Sequence, residues 1–180
     1  MTSVIKVDTI QNSTGTSALS IGAGGEVTTQ GAFLPGGLTA WPAFLVSGDN
    51  AAWRSYSAEE AFQFNDATSG NALFDSGSNF NTTTYTFTAP IDGIYSFGLN
   101  IYTLENASEG RGAISINGTR ASGAGTLKIQ VRESTNLDMT GYMSLTLNLS
   151  AGDEIQAVSD NAASFYIKHS FFTGHLVAPL

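Results

Sequence analysis

From Trp41 to the end of the chain, apolar and polar residues alternate in short runs, separated by turn-forming residues roughly every 8–12 positions. Ile94–Tyr102 sets Tyr95, Phe97, Leu99 and Ile101 on one side and Ser96, Gly98 and Asn100 on the other. Leu127, Ile129 and Val131 alternate with Lys128, Gln130 and Arg132, and Met143, Leu145, Leu147 and Leu149 alternate with Ser144, Thr146 and Asn148. Thr84–Thr88 places Tyr85 and Phe87 among threonines, and Ala113–Ile116 runs into Asn117-Gly118, a strong two-residue hairpin signal. Ser150-Ala151-Gly152-Asp153 then turns the chain into Glu154–Val158, and a last strand is predicted from about Ser164 to Val177. Period two means one face on a core and the other on solvent or a partner. Ala58–Ala61 could form a single helical turn, but Phe62 and Phe64 resume the alternation. About ten strands without a convincing amphipathic helix predict an all-β, antiparallel sandwich over residues 41–180.

Residues 1–40 follow a different pattern. Val4, Ile5, Val7 and Ile10 form one apolar stretch and Ala18, Leu19 and Ile21 a second, with the polar turn segment Gln11–Thr16 between them. Seven glycines accompany them, so this is predicted to be a short β- and Gly-rich arm of two strands. An arm of that size cannot bury enough apolar surface to offset its ordering entropy alone, so a partner chain is expected to order it.

Composition narrows the function. Fifteen acidic against seven basic side chains leave a net charge of −8, which excludes the clustered cations that nucleic acid requires. Only 12% of residues are charged, about half the usual quarter, and Ser, Thr, Asn and Gly make up 72 of the 180 residues. There is no cysteine, hence no disulfide framework, thiolate metal site or cysteine nucleophile. No apolar run is long enough for a membrane helix, and the start lacks the basic-then-apolar pattern of a signal peptide, so neither membrane insertion nor ordinary secretion is expected.

Chemistry is not nominated by any motif. Gly-x-Ser-x-Gly, His-Glu-x-x-His and calcium-loop spacings are missing, and no two carboxylates are singled out as an acid–base pair. The expectation is therefore no catalytic, cofactor-binding or metal-ligating residue, no cofactor, and no enzymatic activity. The two histidines, His169 and His175, both fall in the predicted last strand, where His169 would share a side with Phe165, Ile167 and Phe171. Each is read as a hydrogen-bonded structural residue, with a pH-sensing cluster on an oligomer axis as the alternative for His169. The segments Leu104–Gly112, Gly118–Gly125, Glu133–Asp138 and Ser159–Ala163 are polar and Gly-rich, and are expected as loops capping the sandwich.

Asp75, Phe80, Phe87, Gly93, Tyr95 and Phe97 stand in the order Asp-x4-Phe-x6-Phe-x5-Gly-x-Tyr-x-Phe. This resembles the signature of the complement C1q globular head, of the tumour-necrosis-factor-like jelly-roll superfamily. Ala43-Phe44-Leu45-Val46 resembles the family's first strand, Leu149-Ser150-Ala151-Gly152-Asp153 its late Leu-x-x-Gly-Asp turn, and Phe172-Thr173-Gly174-His175-Leu176 its closing Phe-x-Gly-x-Leu strand. Leu99 and Ser69 depart from the signature, which prefers aromatic residues there. The resemblance implies a jelly-roll head that assembles as a homotrimer. In physical terms Pro90 and Gly93 are expected to bracket a turn, Gly93 by positive φ, with the aromatics facing one core.

The opening Ile5-Lys6-Val7-Asp8-Thr9-Ile10-Gln11, followed by Ser17–Ile21, is similar to the starts of phage fibre and virion-appendage proteins, those of cyanophages included. Together the two resemblances imply a bacteriophage virion structural protein on the particle's exterior. It would be a trimeric tail fibre or receptor-binding appendage that contacts other virion proteins through residues 1–40 and a host surface glycan or protein through residues 41–180. A capsid decoration or head fibre protein, a free carbohydrate-binding module and a glycan-degrading enzyme stand as alternatives.

Overall fold

A computed structural model describes residues 9–11, 17–21, 27–29, 38, 40–48, 54–66, 73–103, 110–120, 128–131 and 139–180. The chain falls into two compact units, Met1–Ala40 and Trp41–Leu180. The first holds a three-stranded antiparallel sheet of β1 (Thr9–Gln11), β2 (Ser17–Ile21) and β3 (Val27–Thr29), in that order. Ile10 pairs with Leu19 and Ile21 with Val27. The third strand was not anticipated, because Val27-Thr28-Thr29 is too short to show a period. Val4, Ile5 and Val7 lie outside the described residues.

The second unit is a sandwich of two antiparallel sheets. One contains β4 (Ala43–Ser47), β6 (Phe74–Ser76), β9 (Gly93–Thr103), β13 (Met139–Leu149) and β16 (Phe171–Pro179), in the order β13-β9-β16-β4-β6. The other contains β7 (Phe80–Asn81), β8 (Thr86–Thr88), β10 (Gly110–Ile116), β11 (Thr119–Arg120), β12 (Lys128–Val131) and β14 (Glu154–Ser159). Its order is β11-β10-β14-β8-β7, with β12 also paired to β10. A small two-stranded ribbon, β5 (Arg54–Tyr56) with β15 (Ala163–Phe165), completes the fold. Strands distant in sequence lie side by side in both sheets, the jelly-roll arrangement.

The core is aromatic. Phe44 of the first sheet stacks against Phe80 at 5.0 Å and Phe87 at 5.1 Å from the second, and meets Phe172 edge-on at 5.0 Å. Phe97 and Tyr95 close the group on Phe87. Tyr56, Phe62 and Phe165 form a neighbouring cluster with centroids 4.9–6.1 Å apart. Each ring removes on the order of 150–250 Å² from water, so these side chains dominate the cohesion of the sandwich. Four of them, Phe80, Phe87, Tyr95 and Phe97, are the aromatics of the signature spacing, and all are buried.

Three expectations about strands need correction. Thr84 and Tyr85 belong to a turn, with Tyr85 at φ 59°, and pairing begins only at Thr86. The predicted strand Ser164–Val177 is broken in two: β15 ends at Phe165, and a 3-10 turn over Ile167–His169 separates it from β16. Alternation survives the break because the 3-10 turn still buries Ile167, so periodicity alone could not reveal it. Gly93 does not adopt positive φ. It is required for space, since a Cβ there would lie 2.7 Å from Leu176 Cδ1 and 2.9 Å from the Ala178 carbonyl oxygen.

Candidate interaction face

The signature residues act first as local architecture. Asp75 Oδ1 accepts the Asn79 N–H at 3.2 Å and Oδ2 the Phe80 N–H at 3.0 Å. These bonds hold a turn in which Gly77 and Ser78 both have positive φ, and so they deliver Phe80 to the core. Near the start of β9 other acidic side chains do similar work. Asp92 Oδ1 accepts the Ala151 N–H at 2.7 Å, and Asp153 Oδ2 accepts the Ser150 N–H at 2.8 Å. Asp153 Oδ1 takes the Asn117 side-chain N–H, while Asn117 Oδ1 accepts the Glu154 N–H, both at 2.8 Å. The Asn117 amide and then the Ser150 N–H hold the Asp153 carboxyl below its ordinary range. Asn117 and Gly118 have φ of 51° and 74°, the two-residue turn that their sequence predicted. Burial pushes the Tyr56 hydroxyl up to about 12. Among the described residues, no group of three or more His, Asp or Glu side chains is placed to hold a metal ion.

What distinguishes the molecule is the outer face of the five-stranded sheet. Register assigns its side chains in rows. Ser47, Phe171, Asn100 and Tyr142 share one row. Phe74, Leu45, Thr173, Gly98 and Ser144 share the next, and Ser76, Ala43, His175, Ser96 and Thr146 the one after. None of these described positions is Asp, Glu, Lys or Arg, in a chain of net charge −8. Large apolar and aromatic groups are instead left in solvent here: Tyr142 is 60% exposed, Val177 52% and Phe74 46%. The outer side of the second sheet differs, bearing Glu154 and the Arg111–Asp160 ion pair at 3.7 Å.

Glycine shapes the middle of the face. A Cβ at Gly98 would sit 2.7 Å from Tyr142 Oη and 3.0 Å from Thr173 Cγ2, so the tyrosine lies across the sheet over the glycine. At one end a depression of about 290 Å³ is lined by Leu45, Ser47, Leu73 and Phe171, with Lys168, His169 and Ser170 of the turn before β16 around it. Ser170 Oγ accepts the Tyr102 N–H and donates to the Tyr166 carbonyl, tying that turn to β9.

The histidines do not sit as expected. His169 is not on a strand; it is exposed in the 3-10 turn, stacked on Tyr166 with centroids 4.8 Å apart. His175 is on β16 as predicted, but exposed and in the last of the three rows of the uncharged face. Of the anticipated loops, Ser159–Ala163 is a tight connection rather than a solvated one. Ser159 and Asp160 are buried, and the Asn161 side chain accepts the Arg111 N–H at 2.9 Å. Gly110–Gly112 lies within β10, whereas 104–109, 121–127 and 132–138 are outside the described residues. The sheet face escaped sequence reasoning because it is assembled from five strands scattered between residues 43 and 179. Its sign, polar positions that never carry charge, is visible strand by strand only in retrospect.

Comparison with known proteins agrees with this architecture. The family profile of the C1q domain matches residues 43–177. Among solved structures, the globular domain of zebrafish complement 1qA protein is similar with a TM-score of 0.58 at 18% identity, covering 77% of this chain and 99% of that one. Eiger TNF from S. frugiperda gives 0.58 at 13% identity, covering 78% and 95%. Murine APRIL at pH 5.0 gives 0.55 at 15% identity, covering 78% and 99%. No curated protein sequence matches the chain.

Proposed function

Since the chain belongs to the C1q domain family, we propose that it is a homotrimeric, non-enzymatic binding head on the exterior of a bacteriophage particle, attached through residues 1–40. The observation that carries the trimer is the uncharged face of the five-stranded sheet. A face that stays in water gains solubility from charge, whereas one that is covered must avoid it, because an unpaired buried charge is expensive. Exposed Tyr142, Phe74 and Val177 then supply the apolar contact area. Copies of the same chain are the occupant the fold family favours, and closed symmetry leaves no face open.

The virion assignment rests on the similarity of the opening residues to phage fibre and appendage proteins. It also suits a cysteine-free chain, which needs no oxidising compartment to fold. Catalysis is not part of the proposal, for the acidic side chains Asp75, Asp92 and Asp153 are committed to backbone amides. A tail fibre or receptor-binding tip is preferred.

Light scattering on the purified chain should return three times 18.8 kDa. Ser96→Lys, in the same row of the face as His175, should give a folded monomer; a trimer that persists in this variant would refute assembly through this sheet. Phage particles carrying a copy without residues 1–30 should lose the head, and normal incorporation would refute the attachment role of the arm.

A further inference from the structure

His175 is the one imidazole in the rows of that face. Its neighbours across the sheet are Ala43 on β4 and Ser96 on β9, with Ser76 and Thr146 beyond them, and Thr173 and Val177 flank it along β16. None of these titrates. The acidic residue of β6, Asp75, is turned to the Asn79 and Phe80 amides. The one ionisable group that β9 and β13 place on the outer side of these rows is the tyrosine hydroxyl of Tyr142, which is not a carboxylate. A histidinium here therefore meets no carboxylate in its row or beside it among the described residues, and covering it would leave a cation without a partner.

We propose that His175 makes assembly acid-labile: the trimer forms while the three imidazoles are neutral and comes apart when they are protonated. The inference rests on the trimer being built through this face. Its direction follows from proton counting. Free protomers bind protons that the assembled form excludes, so association is at full strength above the ordinary histidine range and is lost as pH falls through it. With three copies each releasing one proton, the association constant drops by up to roughly a thousandfold per pH unit once protonation sets in. Three protonated imidazoles brought close together would add mutual repulsion.

The test is light scattering at micromolar protein between pH 8 and pH 5, with far-ultraviolet circular dichroism confirming that the sandwich stays folded. The wild-type chain should be trimeric at pH 8 and monomeric near pH 5. His175→Gln should remain trimeric throughout, and His169→Gln should behave like the wild type, since that residue stands in the turn at the edge of the face, outside its rows. His175→Phe provides a second variant without a titrating group and should also be insensitive to pH. A wild-type trimer that survives pH 5, or His175 variants that dissociate in step with the wild type, overturns the inference while leaving the trimer intact. A wild-type chain that is monomeric even at pH 8 overturns the underlying trimer instead, and the inference with it.

Discussion

At the scale of single residues, the signature positions turn out to be needed for two different physical reasons. Asp75 is needed for its lone pairs: two backbone N–H groups of a turn containing positive φ at Gly77 and Ser78 point at its carboxylate. Asp75→Ala should cost about 1–2 kcal/mol, as loss of a helix cap does, read as a lower urea midpoint with unchanged slope. Gly174 is needed for having no side chain. A Cβ there would lie 2.6 Å from both Phe44 Cε1 and Phe97 Cδ1, two rings fixed in the core. Gly174→Ala should therefore destabilise by about 1–3 kcal/mol, the range of core overpacking, in the same unfolding assay. The aromatics of the core were legible from their spacing. The reason for Gly93 was not, because a sequence shows that glycine is present without showing whether conformation or space demands it. His169 was misplaced for a related cause, since a 3-10 turn that buries Ile167 keeps the apparent alternation of a strand.

Among elements, the informative link is between two turns far apart in sequence. Asn117 at the β10–β11 hairpin and Asp153 before β14 are joined by hydrogen bonds, so each turn fixes the other. Because the folded state lowers the Asp153 pKa, its contribution is present above the unfolded carboxylate value near 3.9 and disappears as pH falls through the lower folded value. Acid titration of stability should thus show a decline in that window for the wild type and a shallower one for Asn117→Ala, followed by thermal melts at stepped pH. Hairpin chemistry of this kind is local and could be read directly from Asn117-Gly118. Sheet order could not, since the pairing of β9 with both β13 and β16 joins residues as far apart as Gly93 and Pro179. For the same reason the sheet face emerged only with the register.

For the molecule as a whole, the contacts divide at Ala40 and Trp41. The sandwich buries its own aromatic core within residues 41–180, so a chain beginning at Trp41 should fold cooperatively, with the circular-dichroism spectrum of an antiparallel sandwich and a sharp melt. A broad transition would show that residues 1–40 are needed for folding itself. Fold class was accessible from periodicity because a sandwich writes its two-residue repeat into nearly every strand. The expectation of assembly came only from resemblance, for a protein surface has no periodic mark of its own.

The eleven-residue strand β13 lies at one end of the sheet order, paired along one flank to β9. Its other flank takes no strand partner among the described residues, leaving a long run of amide and carbonyl groups as a template for any extended chain. The strand is also rich in Leu and Thr, with no Pro, Lys or Glu to discourage such docking. In a lone protomer that flank is an amyloid-like hazard, open to self-templated fibrils.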